Sequence, residues 1–186
     1  MTHTRLENIC WYAVSKCLGL DPNSETEYVQ QRVRISWPQS DTGSTNWERD
    51  ANVAFIRVTD GDPGMDDISQ YRDVSYQYDE EGDTQKEIID FHKAHLLHLV
   101  CYGPDAYTDA MTVKLGITRD DMRAFFQRNK LGVMPHIREP KQMNELDDAG
   151  DWWERWDLFV YFYERLTYEF AIDFIDQPPS IITMGE

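Results

Sequence analysis

Disulfide chemistry is the first thing this sequence lacks. Its three cysteines, Cys10, Cys17 and Cys101, make an odd count with no C-x-x-C spacing. Neither a disulfide framework nor a zinc or redox motif is written in them. Cys10 and Cys17 fall on one helix face, where core filling is the default and a reducing compartment fits. Long apolar runs are missing too. No stretch reaches the roughly 20 residues that span a bilayer, and no signal peptide is expected. Positive charge is scarce: 18 Lys and Arg stand against 34 Asp and Glu, a net −16. A chain whose main task is gripping phosphates or docking on anionic lipid needs the opposite sign. There is no internal repeat and no low-complexity block. No G-x-S-x-G, Walker loop or G-x-G-x-x-G occurs, and no spacing of Ser, His and Asp singles out a triad.

Aromatic residues, by contrast, are plentiful, with six Trp and ten Tyr. A small domain rarely hides all of these, so some are expected at contact surfaces. The 186 residues suffice for one domain with its own core. The expected class is α/β (α+β): a mixed, mainly antiparallel sheet flanked by about three helices, as a single domain over 1–186. Long loops are expected at 36–50, 60–67 and 138–151, with a tail at 176–186.

Along the chain, Thr4 to Leu18 predicts an amphipathic helix. Thr4 and Glu7 have capping-box spacing, and Gly19 ends the helix. Val29, Val33, Ile35 and Trp37 alternate as a strand that Pro38 stops. Asn52 to Thr59 predicts a second strand and Val74, Tyr76 and Tyr78 a third. Asp79 to Asp83 looks like a hairpin tip. Ile88 to Tyr102 suits a helix ended by Gly103 or a strand buried on both faces, and period alone does not decide; strand is chosen at least from about Ala94, helped by the family resemblance given below. Gly103 can supply a sharp backbone exit, Pro104 suits a first helical position, and Asp105 sits at the positive end of the helix dipole. Tyr107, Ala110, Met111 and Leu115 give the following helix one apolar face. Thr118 caps a further helix, with Met122, Phe125 and Phe126 inward and Gly132 beyond its end. Val133 to Ile137 predicts a short strand. Trp152 to Phe162 is the expected partner of the strand before Gly103. Tyr168, Phe170, Ile172 and Phe174 alternate as another strand with one wet face.

His92, His95 and His98 are the tempting cluster. On a helix His92 and His95 would meet, as a metal site could use; on a strand His95 faces away from the other two. Asp60, Asp62, Asp66 and Asp67 hint at calcium, but Met65 and Tyr71 occupy the positions where an EF-hand needs Gly and Glu. A solvated acidic loop fits better. Asp120 and Asp121 open a helix, where carboxylates stabilise without catalysis. Trp152, Trp153 and Trp156 beside Arg155 could stack bases, but an acidic chain favours strand packing or subunit contact.

Leu99-Val100-Cys101-Tyr102-Gly103-Pro104-Asp105-Ala106, the helices after it, Gly132-Val133, and Trp153-Glu154-Arg155-Trp156-Asp157-Leu158 running into Tyr161 together resemble the phage neck or tail terminator family. Cys101 departs from the aromatic found there in the family's pattern. The resemblance implies a virion structural protein in the tail or neck, assembled in the host cytoplasm, with no catalytic residue, metal or cofactor and no membrane partner. It implies a joint that stops tail-tube growth and meets the head-side connector. The implied partners are further copies of itself in a homohexameric ring, the tail tube protein and the connector or neck proteins; DNA passes without specific contact. Tyr102, Gly103, Pro104, Asp105, Ala106, Trp153 and Arg155 carry the motif. Candidate interface residues are Trp37, Trp47, Trp152, Trp156, Ile181 and Ile182. Candidate channel-facing acids are Asp60, Asp62, Asp66, Asp67, Glu80 and Glu81. The alternatives are another head-tail completion protein or a small histidine-metal enzyme.

Overall fold

The computed structural model describes residues 1–24, 27–35, 48, 50–61, 73–79, 84–143, 145–146 and 152–172. Two long antiparallel strands run through its centre: β4 (Thr84–Tyr102) and β9 (Arg155–Ile172). They pair without interruption from Gln85 opposite Ile172 to Tyr102 opposite Arg155. β4, with 19 residues, spans about 60 Å. The run 88–94, open between helix and strand in the sequence, is therefore strand throughout. β2 (Val53–Asp60) lies antiparallel beside the lower half of β4, and β1 (Val33–Ile35) runs parallel beside β2. β3 (Asp73–Asp79) pairs with the upper half of β4. On the other side of β9 lie β5 (Leu131–Val133) and β6 (Lys141–Gln142). β7 (Glu145–Leu146) and β8 (Trp152–Trp153) form a separate small ladder.

α1 (His3–Cys17), α3 (Ala106–Ile117) and α4 (Asp120–Arg128) cover one face of the lower sheet. Leu97 and Leu99 from β4, Leu158, Val160 and Phe162 from β9 and Ile56 from β2 meet Val14, Val113, Ile117 and Phe126 there, all fully buried. Strand alternation fixes this: odd residues of β4 and even residues of β9 point to the helices. The three thiols are fillers. Burial pushes Cys10 up to about 12 and Cys17 up to about 11, and raises Cys101 as well.

Several sequence expectations shift. Thr2, in extended backbone, caps α1 by accepting from the Arg5 amide at 3.4 Å, so Thr4 is already inside the first turn. Residues Glu27–Arg32 form α2, because Glu, Gln and Arg favour helix and the alternation read there was only a few residues long. The buried face of α3 is Ala106, Ala110, Val113 and Ile117, while Tyr107 and Leu115 are exposed. Small residues let the helix approach the sheet closely, and the large ones are turned outward. Pro104 precedes the N-cap Asp105 instead of opening the helix. α3 runs on to Ile117, so Thr118 closes it and Arg119 caps α4. Left-handed Lys130 (φ 61) ends the turn after α4, and Gly132 sits in β5. A Cβ on Gly132 would lie 2.0 Å from the Tyr163 ring. β5 stops at Val133 because Pro135 has no amide to donate. The two strands read over 152–162 and 167–174 are one, β9, up to Ile172.

The exit from β4 depends on Gly103. Its φ is +105, and a Cβ there would lie 2.6 Å from the Ala51 carbonyl oxygen. Gly103→Ala combines left-handed strain with a backbone clash, so a loss of about 2 kcal/mol or more is expected in urea denaturation. Gly19→Ala, with open space around its Cβ position, is expected to cost about 1 kcal/mol.

Candidate assembly surface

The family-like segment builds the corner where β4 turns into α3. Asn52 and Asp105 clamp it: the Asp105 amide donates to Asn52 Oδ1 at 2.9 Å, and Asn52 Nδ2 donates to Asp105 Oδ2 at 2.8 Å. Ala106 is fully buried, whereas Pro104 and Asp105 are exposed. Tyr102 and Arg155 are cross-strand partners, and the guanidinium lies 6.0 Å from the Tyr102 ring centre.

Asp157, 3% exposed, joins this corner to the histidines. Arg155 grips it with two parallel bonds, Nε to Oδ1 at 2.7 Å and Nη2 to Oδ2 at 2.8 Å. His98 Nε2 bonds Oδ2 at 2.7 Å; a carboxylate only accepts, so this nitrogen carries the proton. Burial alone would raise the Asp157 pKa, but the bonds from His98 and Arg155 outweigh it and hold the carboxyl below its usual range. On the helix-side face, His95 bonds Glu164 at 3.1 Å, and the N-terminal ammonium donates to Glu164 at 2.7 Å. Burial opposes ionisation there too, and these two donors win, lowering the Glu164 pKa. The three histidines therefore separate. His95 and His98 each meet a carboxylate on opposite faces, and His92 packs edge-on against Tyr163. Among the described residues, no group of three side chains suits a metal ion.

Beyond the helices, β3 and the upper halves of β4 and β9 form a three-stranded arm. Register assigns its faces. Val74, Ile89 and Tyr168 form one cross-strand row; Tyr76, Glu87 and Phe170 form the next; Tyr78, Gln85 and Ile172 the third. These rows continue the helix-side face of the sheet, with nothing like its burial. Tyr76 is 61% exposed, and Tyr78, Tyr168 and Phe170 are each 49% exposed. The opposite face is polar and largely self-neutralised. Arg165 Nη2 donates to Asp90 Oδ2 at 2.8 Å, the Thr167 hydroxyl bonds Asp90, and Lys86 lies 3.5 Å from Glu169.

The other sequence candidates scatter. Trp152 is 62% exposed. Trp156 is half-buried against the core and its ring meets that of Tyr107 at 4.6 Å. For Trp153 only the backbone, in β8, is described. Asp60 ends β2 and pairs with Lys93 at 2.8 Å, which holds its carboxyl below the usual range. Trp37, Trp47, Asp62, Asp66, Asp67, Glu80, Glu81, Ile181 and Ile182 lie outside the described residues. Asp157, Glu164 and the arm aromatics were missed in the sequence. The signal for the last was there, in the unbroken parity of both long strands.

The model of the family described as phage neck terminator protein matches the chain over residues 11–186. No curated protein matches it.

Asp157→Asn keeps the shape but removes the charge that Arg155 and His98 address. A loss of about 2–4 kcal/mol is expected in urea denaturation. Because the folded pKa is lowered, this stability is complete above the unfolded value near ~4 and disappears as pH falls through the folded one. The variant is therefore expected to lose less stability than wild type on acidification below about pH 4.

Proposed function

Because the chain belongs to the family of phage neck terminator proteins, we propose that it closes the tail tube and joins it to the head-side connector as a ring of copies around the DNA channel. A structural role in the tail or neck of the virion follows from the family. The ring, taken as a homohexamer, the tube protein and the connector as partners, and assembly in the host cytoplasm belong to the proposal.

The observation that carries it is the bare aromatic face of the arm. A ring with cyclic symmetry needs two different patches, each meeting the other on the next copy. The arm face is three strands wide and about seven residues long, a footprint of roughly 300 Å². That is comparable to the largest apolar patch of an ordinary monomer, about 300–600 Å², and smaller than the ~800 Å² per partner of a stable interface. Other exposed apolar side chains, such as Trp152, Tyr107 and Leu115, would supply more of the contact. Six copies at −16 each carry about −96, and acids facing the lumen would let DNA slide without neutralising its phosphates. Asp60, Asp62, Asp66 and Asp67 are the proposed lining. No helix among the described residues is long and apolar enough to cross a membrane.

Tyr76→Thr with Phe170→Thr tests this. Thr keeps strand propensity and adds no charge beside Glu87, the cross-strand neighbour of both, so monomer stability is expected to change by about 1 kcal/mol per site at most. In a phage complemented with the double variant, electron microscopy is expected to show heads and tails unjoined. Wild-type yields of joined particles would overturn the role of the arm.

A further inference from the structure

An open cleft of about 750 Å³ lies where β5 ends against β9. Arg123 and Gln127 reach it from α4, Lys130 from the turn after α4, and His92, Arg165 and Thr167 from the sheet. In a chain with nearly twice as many acids as bases, no carboxylate among the described residues lines it. Asp90 is the nearest acid by bonding, and it engages Arg165. The side chains of Arg123 and Lys130 meet no carboxylate among the described residues.

The cleft also borders an open strand edge. β5 pairs with β9 only at Phe162 to Glu164, and β6 only at Trp156 and Asp157. From Arg165 to Ile172 no described strand pairs with β9 on that side, since β4 occupies the other. An open edge offers backbone donors and acceptors that a visiting peptide can meet by strand addition. Nucleic acid has no matching ladder, and a net −16 repels it at longer range.

We propose that this cleft binds the acidic connection between β3 and β4, Asp79-Glu80-Glu81-Gly82-Asp83, of a second copy of the chain. Four of these five residues are acids, the densest acidic run in the sequence. Asp79 pairs with Thr84, so both residues that flank 80–83 stand at the far end of the arm. A copy cannot fill its own cleft this way. His92, which lines the cleft, is eight residues along β4 from Thr84, about 26 Å of paired strand. The tip must therefore come from a neighbour, and tip and cleft are two different patches of the kind a closed ring uses. The inference rests on the self-assembling reading above.

A labelled peptide of residues 77–85 titrated with the full-length chain, followed by fluorescence anisotropy, tests it without requiring a ring. Binding that weakens with added salt is expected. Affinity is expected to fall about tenfold or more in Arg123→Glu with Lys130→Glu, or when the peptide carries Glu80→Gln and Glu81→Gln. Both cleft residues are exposed, and an unchanged thermal melt would exclude misfolding; Arg123→Gln is the milder variant if the melt changes. Equal binding of the peptide by wild type and variant would overturn the proposal. So would a short DNA duplex that binds wild type, loses binding in the variant, and is not displaced by the peptide. Particles left unjoined by changes on the arm, with peptide binding intact, would leave the cleft standing; joined particles with no peptide binding would overturn it alone.

Discussion

The pairing of β4 with β9 decides the rest of the structure. Its register, Gln85 opposite Ile172 through Tyr102 opposite Arg155, fixes the face of every residue on both strands. A slip of one position would send Leu97, Leu99, Leu158 and Val160 to the far face and bring His98 and Asp157 under the helices. Polar pairs guard against that slip. Asp157 is anchored by His98 and Arg155 on one face, Glu164 by His95 on the other. Each leaves a buried group without its partner if the strands shift, a cost comparable to losing a core side chain.

The same register explains why the arm is apolar on one side. Parity does not change where the helices end. The face that carries Leu97 and Val160 under α3 carries Ile89, Tyr168 and Phe170 beyond it. A strand built only to continue the ladder would alternate to polar on both faces once outside the core. Here the outer face is polar and paired among its own charges, while the inner face keeps large aromatics. The described residues of the single chain leave this aromatic face of the arm largely uncovered.

Much of this was legible from the residues. β2, β3 and the β4–α3 corner at Gly103 follow from alternation and turn chemistry; for β4 the period left helix and strand open, and the resemblance helped to choose the strand that pairs with β9. Other features were not, for physical reasons. Glu164, Arg165 and Thr167 interrupt the apolar run of β9, so one strand reads as two, although the parity of Phe162, Leu166 and Tyr168 is continuous. α3 carries two stripes, and the larger side chains suggest the wrong one; close packing on the sheet selects Ala106, Ala110 and Val113 instead. The resemblance named Tyr102 and Arg155, and the register makes them cross-strand partners. The partners of Asp157 could not be found in advance, because His98 lies 59 positions away and only register brings it near.

Charge sets the terms on which the bare face can be covered. Copies at −16 each repel, but in physiological salt the repulsion is screened beyond roughly 8 Å. It acts as copies touch, against every orientation that brings acid to acid. Covering the half or so of Tyr76 and Phe170 that is still exposed yields about 1–2 kcal/mol each, and only where the surfaces match. An apolar patch alone would accept many misaligned neighbours. In the proposed assembly a cationic cleft in an otherwise acidic chain would remove that freedom: the orientation that seats an acidic tip beside Arg123 and Lys130 is the one in which attraction and burial act together. Apolar burial would then supply the strength of the joint, and the sparse positive charges its alignment.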